Sequence, residues 1–373
     1  MGVADRLKYA RERFGITLSQ VKERTGIGES SLSDFENGKR EPSLSQLQAL
    51  ATVYQRSVAF FLAEGSIPQE IVLWRERPEV GAEEVETHFL RLCECYHNLE
   101  VWTNEAVPVS LPEVERGRTA ESFSYRDAEG LAKKVRDELS LGDRPALSLP
   151  SVLEEVCRVK VFHLDFAPAG TAASSRSETF GAAVLLNRGN KRWRRNFDLA
   201  HEFFHLLTWQ VFRQGVSPET TSVFPSQQEE KLSTCFASNL LMPMDALRVA
   251  VHSKTQEGKF TYEDLFDVAR QFDVSTEALV WRMSLMGLLQ TSQDESKSVI
   301  DRAKALAPML EERDDTKLSP RPERFRALAI KALRRGAIST GRFAEYLGIG
   351  RKEAMKYVEQ ETAEDEEVPV APA

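Results

Sequence analysis

The sequence lacks long hydrophobic runs, and it has few histidines and few cysteines. The roughly 18 consecutive apolar residues of a transmembrane helix occur nowhere in its 373 residues, so a membrane partner is not predicted. The N-terminus also lacks the basic start and apolar core that are typical of a secretory signal. These absences indicate a cytoplasmic protein.

The four cysteines include no Cys-x-x-Cys pair. A chain of 373 residues, of which 42% are hydrophobic, can bury sizeable cores without disulfides, and two or three domains are expected from its length. The cysteines are therefore expected to be reduced thiols.

Residues 1–65 carry little excess charge, with nine Lys and Arg against eight Asp and Glu. Short amphipathic segments separated by glycines predict five helices, and a tight glycine turn between the second and the third is typical of a helix-turn-helix bundle. Because nonspecific affinity for DNA depends on basic charge, the near balance weakens the case for tight DNA binding. A bundle used for dimerisation or protein docking stays open as an alternative.

The stretch GIGESSLSDFENGKREPS, residues 26–43, has an apolar residue at Leu32, an acid at Glu36 and a helix-ending glycine at Gly38. With these residues the segment resembles the Cro/repressor-like (XRE) helix-turn-helix family. The resemblance implies DNA as a partner and is compatible with a homodimer on a two-fold site, because the third helix of this family enters the major groove. It places four residues at base edges, namely Glu29, Ser30, Ser31 and Asp34. It places Lys39 and Arg40 near phosphates.

Residues 66–125 are interpreted as a connector with one long helix, because AEEVETHFLRLCECYHNLEVW has continuous helical periodicity. From residue 126 to residue 290 the order is helix, helix, strand, loop, strand and helix, with short β-rich runs bounded by turn residues. This order predicts a domain with a small β-sheet. The expected fold class of the whole chain is therefore mainly α with an α+β part.

Residues 291–320 are polar and predict a linker around one short helix. Residues 321–358 predict a small C-terminal helical unit, similar to a helix-turn-helix, with ten Lys and Arg against three Asp and Glu. Residues 359–373 contain six acidic residues and no basic one, which predicts a disordered tail. The basic unit is either a solvated helical cap or a second nucleic-acid contact that the tail masks.

Two of the chain's six histidines form the motif HEFFH within NFDLAHEFFHLL, residues 196–207. His201 and His205 are about one helical turn apart, so their imidazoles can converge on one zinc ion. In enzymes with an HExxH motif, the glutamate, here Glu202, takes a proton from the attacking water and later delivers it to the leaving amine. The motif therefore predicts a zinc hydrolase.

A catalytic zinc needs a third protein ligand, which has to come from another segment. The stretch EEKLSTCFASNLLMP, residues 229–243, predicts a second helix that begins with two candidates, Glu229 and Glu230. A glutamate from a second helix is the gluzincin arrangement. The spacing alone does not choose between these two neighbours, because they point about 100° apart on a helix.

The segments FDLAHEFFH and EKLSTCFASNLLMP resemble the paired motifs of the ImmA/IrrE metallopeptidase family, and the resemblance extends over roughly residues 126–290. It implies a gluzincin-like zincin domain and one Zn²⁺ ion held by His201, His205 and Glu230, with Glu202 as the catalytic base. The sequence departs from the family pattern at three positions. Phe204 stands where the family has a small residue, Ser233 where it has an alanine, and Thr234 where it has an asparagine.

Together the two resemblances imply a transcriptional regulator with zinc-dependent endopeptidase activity. Its protein substrate is expected to be a transcriptional repressor or a related regulator, cleaved in a stress response or a mobile-element or phage response. The alternative is a non-proteolytic DNA-binding repressor or antitoxin-like regulator whose zinc domain is structural or senses a ligand.

Overall fold

The computed structural model describes most of the chain, namely residues 2–13, 16–54, 56, 58–65, 71–115, 117–167, 172–177, 179–213, 224–255, 257–289, 291–310, 318–319 and 321–361. Most of the predicted acidic tail, residues 362–373, therefore lies outside the described residues. The described elements are mainly helical and include a small sheet, which confirms the predicted fold class.

The N-terminal part is the predicted bundle of five helices, which are α1 (Val3–Arg13), α2 (Leu18–Thr25), α3 (Glu29–Glu36), α4 (Leu44–Val53) and α5 (Val58–Leu62). Thr17 and Gln20 cap the start of α2 reciprocally, and Gly26 ends it at a φ of 73°, in the left-handed region that favours glycine. The helices enclose one core that includes the buried side chains of Leu32 and Phe35 from α3. Because Leu32 and Phe35 face this core, the opposite side of α3 is the side that faces solvent.

A four-stranded sheet lies at the centre of the remaining chain. Its strands are β1 (Ile71–Trp74), β2 (Lys160–Leu164), β3 (Ala172–Ser177) and β4 (Gly181–Asn187), in the order β1-β3-β4-β2. β2 pairs with β4 in parallel, while β3 pairs antiparallel with both β1 and β4. Successive side chains of β1 enter two different cores, with Ile71 and Leu73 on one face of the sheet and Val72 and Trp74 on the other.

The strand β1 lies within the segment interpreted as a connector, so that segment is part of the sheet and not a separate linker. The helix predicted there is α6 (Ala82–Trp102), and its apolar side packs in the same core as Val72 and Trp74. The sequence pattern did not indicate this strand pairing, for a physical reason. The run IVLW is buried on both faces and shows no polar alternation, so its partner in the sheet cannot be read from periodicity.

The basic C-terminal unit also packs against α6. It consists of α16 (Glu323–Arg334), α17 (Thr340–Leu347) and α18 (Arg351–Glu361). The buried carboxylate of Glu100 on α6 accepts hydrogen bonds from Arg324 at 2.5 Å and pairs with Lys160 of β2 at 2.9 Å. Part of the unit's positive charge therefore neutralises acidic groups of this chain. The helix α15 (Gln293–Leu310) precedes it and is longer than the short helix expected in the linker.

The other face of the sheet is covered by helices from residue 125 to residue 285, which are α7 (Tyr125–Glu138), α8 (Pro145–Glu155), α9 (Arg192–Leu207), α10 (Trp209–Phe212), α11 (Gln227–Leu241), α12 (Met244–Lys254), α13 (Tyr262–Phe272) and α14 (Thr276–Leu285). The helix α9 lies against β3 and β4, and α11 packs against α9. Among the described residues no helix combines the length and apolar character that a membrane crossing needs.

Candidate metal centre

The motif HEFFH lies in the buried second half of α9. The side chains of His201, Glu202 and His205 are enclosed, with residue exposures of 0%, 1% and 2%. The two imidazole rings lie on one side of the helix with their centroids 5.1 Å apart, as their spacing of four residues predicts. The helix thus presents two ring nitrogens and one carboxyl group to a single enclosed region.

The second helix brings Glu230 to both histidines. Ser226 caps α11 by accepting a hydrogen bond from the backbone N–H of Glu229, and Glu230 follows in the first turn. Glu230 Oε2 lies 3.2 Å from His201 Nε2, and Glu230 Oε1 lies 3.4 Å from His205 Nε2. Zinc ligands at about 2.0–2.1 Å in tetrahedral geometry are themselves about 3.3 Å apart, so the three side chains have the spacing of a zinc site.

Poorly satisfied polar atoms support the same fit. His205 Nε2, Glu230 Oε1 and both carboxyl oxygens of Glu202 are buried, and within the described part of the chain none of them makes a hydrogen bond of standard geometry, although His205 Nε2 and Glu230 Oε1 lie 3.4 Å apart. Buried polar atoms without partners cost roughly 1–3 kcal/mol each, so such a cluster is unfavourable unless something satisfies it. A divalent cation with a coordinated water would engage all of these atoms. The residues present therefore fit a zinc ion.

Glu229 lies behind His205 and not among the converging atoms. Its Oε1 is 2.8 Å from His205 Nδ1, and both of its oxygens accept hydrogen bonds from Arg213, at 2.8 Å and 3.0 Å. A carboxylate on the far nitrogen of a histidine fixes the tautomer and the ring orientation. Of the two candidates that spacing left open, Glu230 faces the Nε2 atoms and Glu229 contacts the far nitrogen of His205, so Glu230 stays the predicted third ligand.

The charges of the site favour a cation. Burial lowers the pKa of His201 to about 4, so this imidazole is neutral near pH 7 and ready to bind a metal. Burial also disfavours charge on His205, but Glu229 and Glu230 outweigh it and raise its pKa to about 9. Burial acts against the charged form of Glu230 as well, yet the two imidazoles keep its pKa well below the usual range. A metal ion bound at Nε2 of His205 would displace a proton from this imidazole.

The pKa of Glu202 is raised above its ordinary value. Burial is the main cause that raises its pKa to about 7, while His205 and the hydroxyl of Ser174 on β3 act in the opposite direction. A general base works best when its pKa is close to the working pH. The buried carboxyl of Glu202 therefore has the property that the predicted role requires.

Arg75, the residue after β1, reaches the site from outside the predicted domain. Its Nη1 is 3.3 Å from Oδ1 of Asp198, and its Nε is 3.8 Å from Oε2 of Glu230. Burial raises the pKa of Asp198 to about 6, and Arg194 and Arg75 oppose this effect. The sequence contains no spacing signal for these contacts, because Arg75 and Asp198 are 123 residues apart.

The positions that depart from the family pattern lie close to the site. The hydroxyl of Ser233 is 3.0 Å from His201 Nε2, and Thr234 donates to the backbone carbonyl of Glu230. The side chain of Phe204 packs against other aromatic rings, at centroid distances of 5.8 Å from Phe123 and 5.5 Å from Phe236. Phe204 thus contributes to the core, as its bulk requires.

The residues predicted to face DNA lie on and after α3. Of the base-edge candidates, Glu29 and Ser30 are exposed, whereas Ser31 and Asp34 are half-buried; of the phosphate candidates, Lys39 and Arg40 are both exposed. Glu29 forms a 3.3 Å ion pair with Lys22 of α2, and the backbone carbonyl of Asp34 accepts hydrogen bonds from the N–H groups of Lys39 and Arg40. The last contact holds the loop after α3 in a defined turn.

Comparison with known proteins assigns the chain to a class. Residues 7–61 match the helix-turn-helix family, and residues 154–284 match the family described as the IrrE N-terminal-like domain. The chain belongs to the proteins in which an XRE-type helix-turn-helix domain is joined to an IrrE/ImmA-like domain, as the sequence resemblance predicted.

Two relatives are similar to part of the chain. The HTH-type transcriptional regulator ImmR of Bacillus subtilis (strain 168) is 30% identical over 70 residues, which cover 19% of this chain and 55% of ImmR. The HTH-type transcriptional regulator DdrOP3 of Deinococcus deserti (strain DSM 17065 / CIP 109153 / LMG 22923 / VCD115) is 30% identical over 92 residues, which cover 22% of this chain and 71% of DdrOP3. The chain thus spans little more than half the length of the first relative.

Replacement of Glu229 by Gln tests its role behind His205. We expect zinc affinity to fall by roughly 10- to 100-fold, because the amide no longer provides a negative charge for the ring N–H or for Arg213. Competition with a chromophoric chelator measures this change. The replacement Glu263→Gln, at an exposed position of α13, is the matched control and should leave the affinity unchanged. An unchanged affinity in the Glu229 variant would contradict the orienting role.

Proposed function

We propose that the chain is a cytoplasmic transcriptional regulator with zinc-dependent endopeptidase activity. The observation that supports this proposal best is the convergence of His201, His205 and Glu230, whose ligand atoms all lie within 4.8 Å of one another. Beside them lies Glu202, which does not belong to the proposed ligand set. Three ligands and a separate buried base are the components of a catalytic zinc site, whereas structural zinc sites use four protein ligands.

The side chains account for peptide hydrolysis as follows. Zinc, when bound, polarises the carbonyl group and acidifies a water molecule. Glu202 takes one proton from the water as the water oxygen adds to the carbonyl carbon, and the carbonyl electron pair moves to its oxygen. The tetrahedral intermediate then collapses, the C–N bond breaks, and Glu202 delivers its proton to the leaving nitrogen. The products are a carboxylic acid and an amine.

The proposed substrate is a transcriptional repressor or a related regulatory protein. Two facts support this choice: the chain carries a helix-turn-helix domain of its own, and the relatives that match it are named as transcriptional regulators. A peptidase joined to such a domain is brought to the DNA sites where repressors are bound. Its cleavage of a repressor would relieve repression in a stress, mobile-element or phage response.

Metal removal tests the proposed activity. Protein stripped of metal with a chelator is expected to leave a DNA-binding repressor uncut, and one equivalent of zinc should restore cleavage. Electrophoresis and mass spectrometry of the repressor measure the cleavage. A DNA-binding repressor and unfolded casein serve as trial substrates. Cleavage that continues at the same rate in metal-free protein would contradict the proposal.

A non-proteolytic regulator is the second candidate, and one observation favours it. The side chains of His201, Glu202 and His205 are almost completely enclosed, so a substrate has to approach from the side of Glu230. A site that never admits a peptide would bind zinc without hydrolysis. Stoichiometric zinc together with no cleavage of any trial substrate would support this second function.

The residues proposed to contact phosphates predict a salt effect. Lys39→Ala and Arg40→Ala should each weaken DNA binding at low salt and lower the slope of log affinity against log salt by about 1, because each removes one phosphate contact. Fluorescence anisotropy at several salt concentrations measures both quantities. Lys297→Ala, at an exposed position of α15, is the control. Equal slopes for all four proteins would show that Lys39 and Arg40 do not contact phosphate.

A further inference from the structure

In the described part of the metal centre, the partly exposed side chains are those of Glu230 and Arg75. The side chains of His201 and His205 are 0% and 1% exposed, whereas the side chain of Glu230 is 25% exposed. The side chain of Arg75 is also 25% exposed, and its Nε lies 3.8 Å from Glu230 Oε2. A peptide that reaches the converging atoms from the side of Glu230 therefore passes the guanidinium of Arg75.

Two contacts hold Arg75 in place. Its backbone N–H donates to the carbonyl oxygen of Ala172 at 3.2 Å, which continues the pairing of β1 with β3. Its Nη1 donates to Asp198, a carboxylate of α9 whose side chain is 1% exposed. Because a guanidinium has five N–H donors in a rigid plane, a side chain anchored in this way still presents donors toward the opening.

We propose that Arg75 is a catalytic residue that donates hydrogen bonds to the substrate carbonyl oxygen as it becomes an oxyanion. This inference rests on the proposed endopeptidase function. A fixed cation at the point where negative charge develops lowers the barrier, because it needs no reorganisation during the reaction. No atom is transferred to or from Arg75. The oxyanion gains hydrogen bonds when water adds to the carbonyl carbon and loses them when the C–N bond breaks.

The position of Arg75 in the chain adds to the inference. It lies outside residues 154–284, the stretch that matches the IrrE N-terminal-like domain. It directly follows the strand β1, which comes after the helix-turn-helix domain, whose matched residues end at 61. The stabilising group is thus supplied by the segment that joins the two domains.

The test uses the full chain loaded with cobalt(II), whose visible spectrum reports on the site, and inorganic phosphate as a tetrahedral anion. We expect Arg75→Ala to bind cobalt stoichiometrically but to bind phosphate roughly 10- to 100-fold more weakly, as for the loss of a hydrogen bond between charged groups. Arg75→Lys should recover part of this affinity. With zinc and a cleaved peptide, kcat should fall by about 10²- to 10³-fold while KM changes little.

Arg194→Ala is the matched control, since Arg194 also contacts Asp198, at 3.0 Å, from α9 itself. It should bind phosphate as the unaltered protein does. Equal losses in the Arg194 and Arg75 variants would overturn the inference, because both would then act through Asp198. Unaltered phosphate binding in Arg75→Ala, or loss of cobalt from it, would also overturn it while leaving the zinc peptidase standing. Unaltered protein that takes up neither cobalt nor zinc would refute the proposed function, and this inference with it.

Discussion

Glu202→Gln is expected to lower kcat for peptide cleavage by roughly 10²- to 10⁴-fold and to leave zinc bound. The amide has nearly the shape of the carboxylate but cannot accept the proton of the attacking water. Glu202 does not belong to the group of His201, His205 and Glu230, so the proposed ligand set is unchanged. Steady-state kinetics on a cleaved peptide, together with metal analysis of the same sample, measures both properties.

The control for this replacement is Glu263→Gln, which removes one negative charge at an exposed position. It should have normal activity, and the affinity of both variants for DNA should equal that of the unaltered protein. A Glu202 variant with full activity would refute its role as the base.

We expect Glu230→Gln to weaken zinc binding by more than roughly 100-fold. A loss of roughly 100-fold is the upper end for replacing a residue that orients a ligand but does not itself bind the metal. A neutral amide is a poorer zinc ligand than a carboxylate, and the remaining two histidines do not make a complete site. The unfolding temperature of the zinc-loaded protein should fall as well, because a ligand that binds the native state stabilises it. Chelator competition and calorimetry measure the two effects.

The comparison with Glu229→Gln decides between two neighbours. If Glu230 is the ligand, its variant loses zinc at chelator concentrations where the Glu229 variant still retains a measurable fraction. The reverse order of affinities would show that Glu229 is the ligand. Both variants remove one negative charge from adjacent residues, so the change of net charge is the same.

The sequence predicted the parts of the site that depend on local geometry. His201, Glu202 and His205 share one helix, and the 3.6-residue period alone places the two rings together. The choice between Glu229 and Glu230 needed more, since it depends on the rotation of α11 about its axis relative to α9. That rotation is set by packing between helices, and the sequence resolved it only through family resemblance.

The sequence did not predict the contribution of distant segments. Arg75 and Asp198 meet because β1 pairs with β3, and a run of four apolar residues gives no information about its partner strand. The charge of the C-terminal unit was a similar case. Its excess of basic residues left both a solvated helical cap and a nucleic-acid contact open, and the structure pairs two of these residues, Arg324 and Lys331, with Glu100 and Glu105 of the α6 region. Composition counts charges without showing their partners.

The strand β1 also limits the positions at which recombination can separate the parts of this chain without breaking the sheet. A genetic exchange that transferred only residues 126–290 would leave behind Ile71, Leu73 and Trp74, and with them one edge of the sheet and parts of two cores. The recipient protein would inherit the histidine motif on an incomplete scaffold. A transferred unit that keeps the whole sheet and both cores therefore has to begin ahead of residue 71, just after the helix-turn-helix domain.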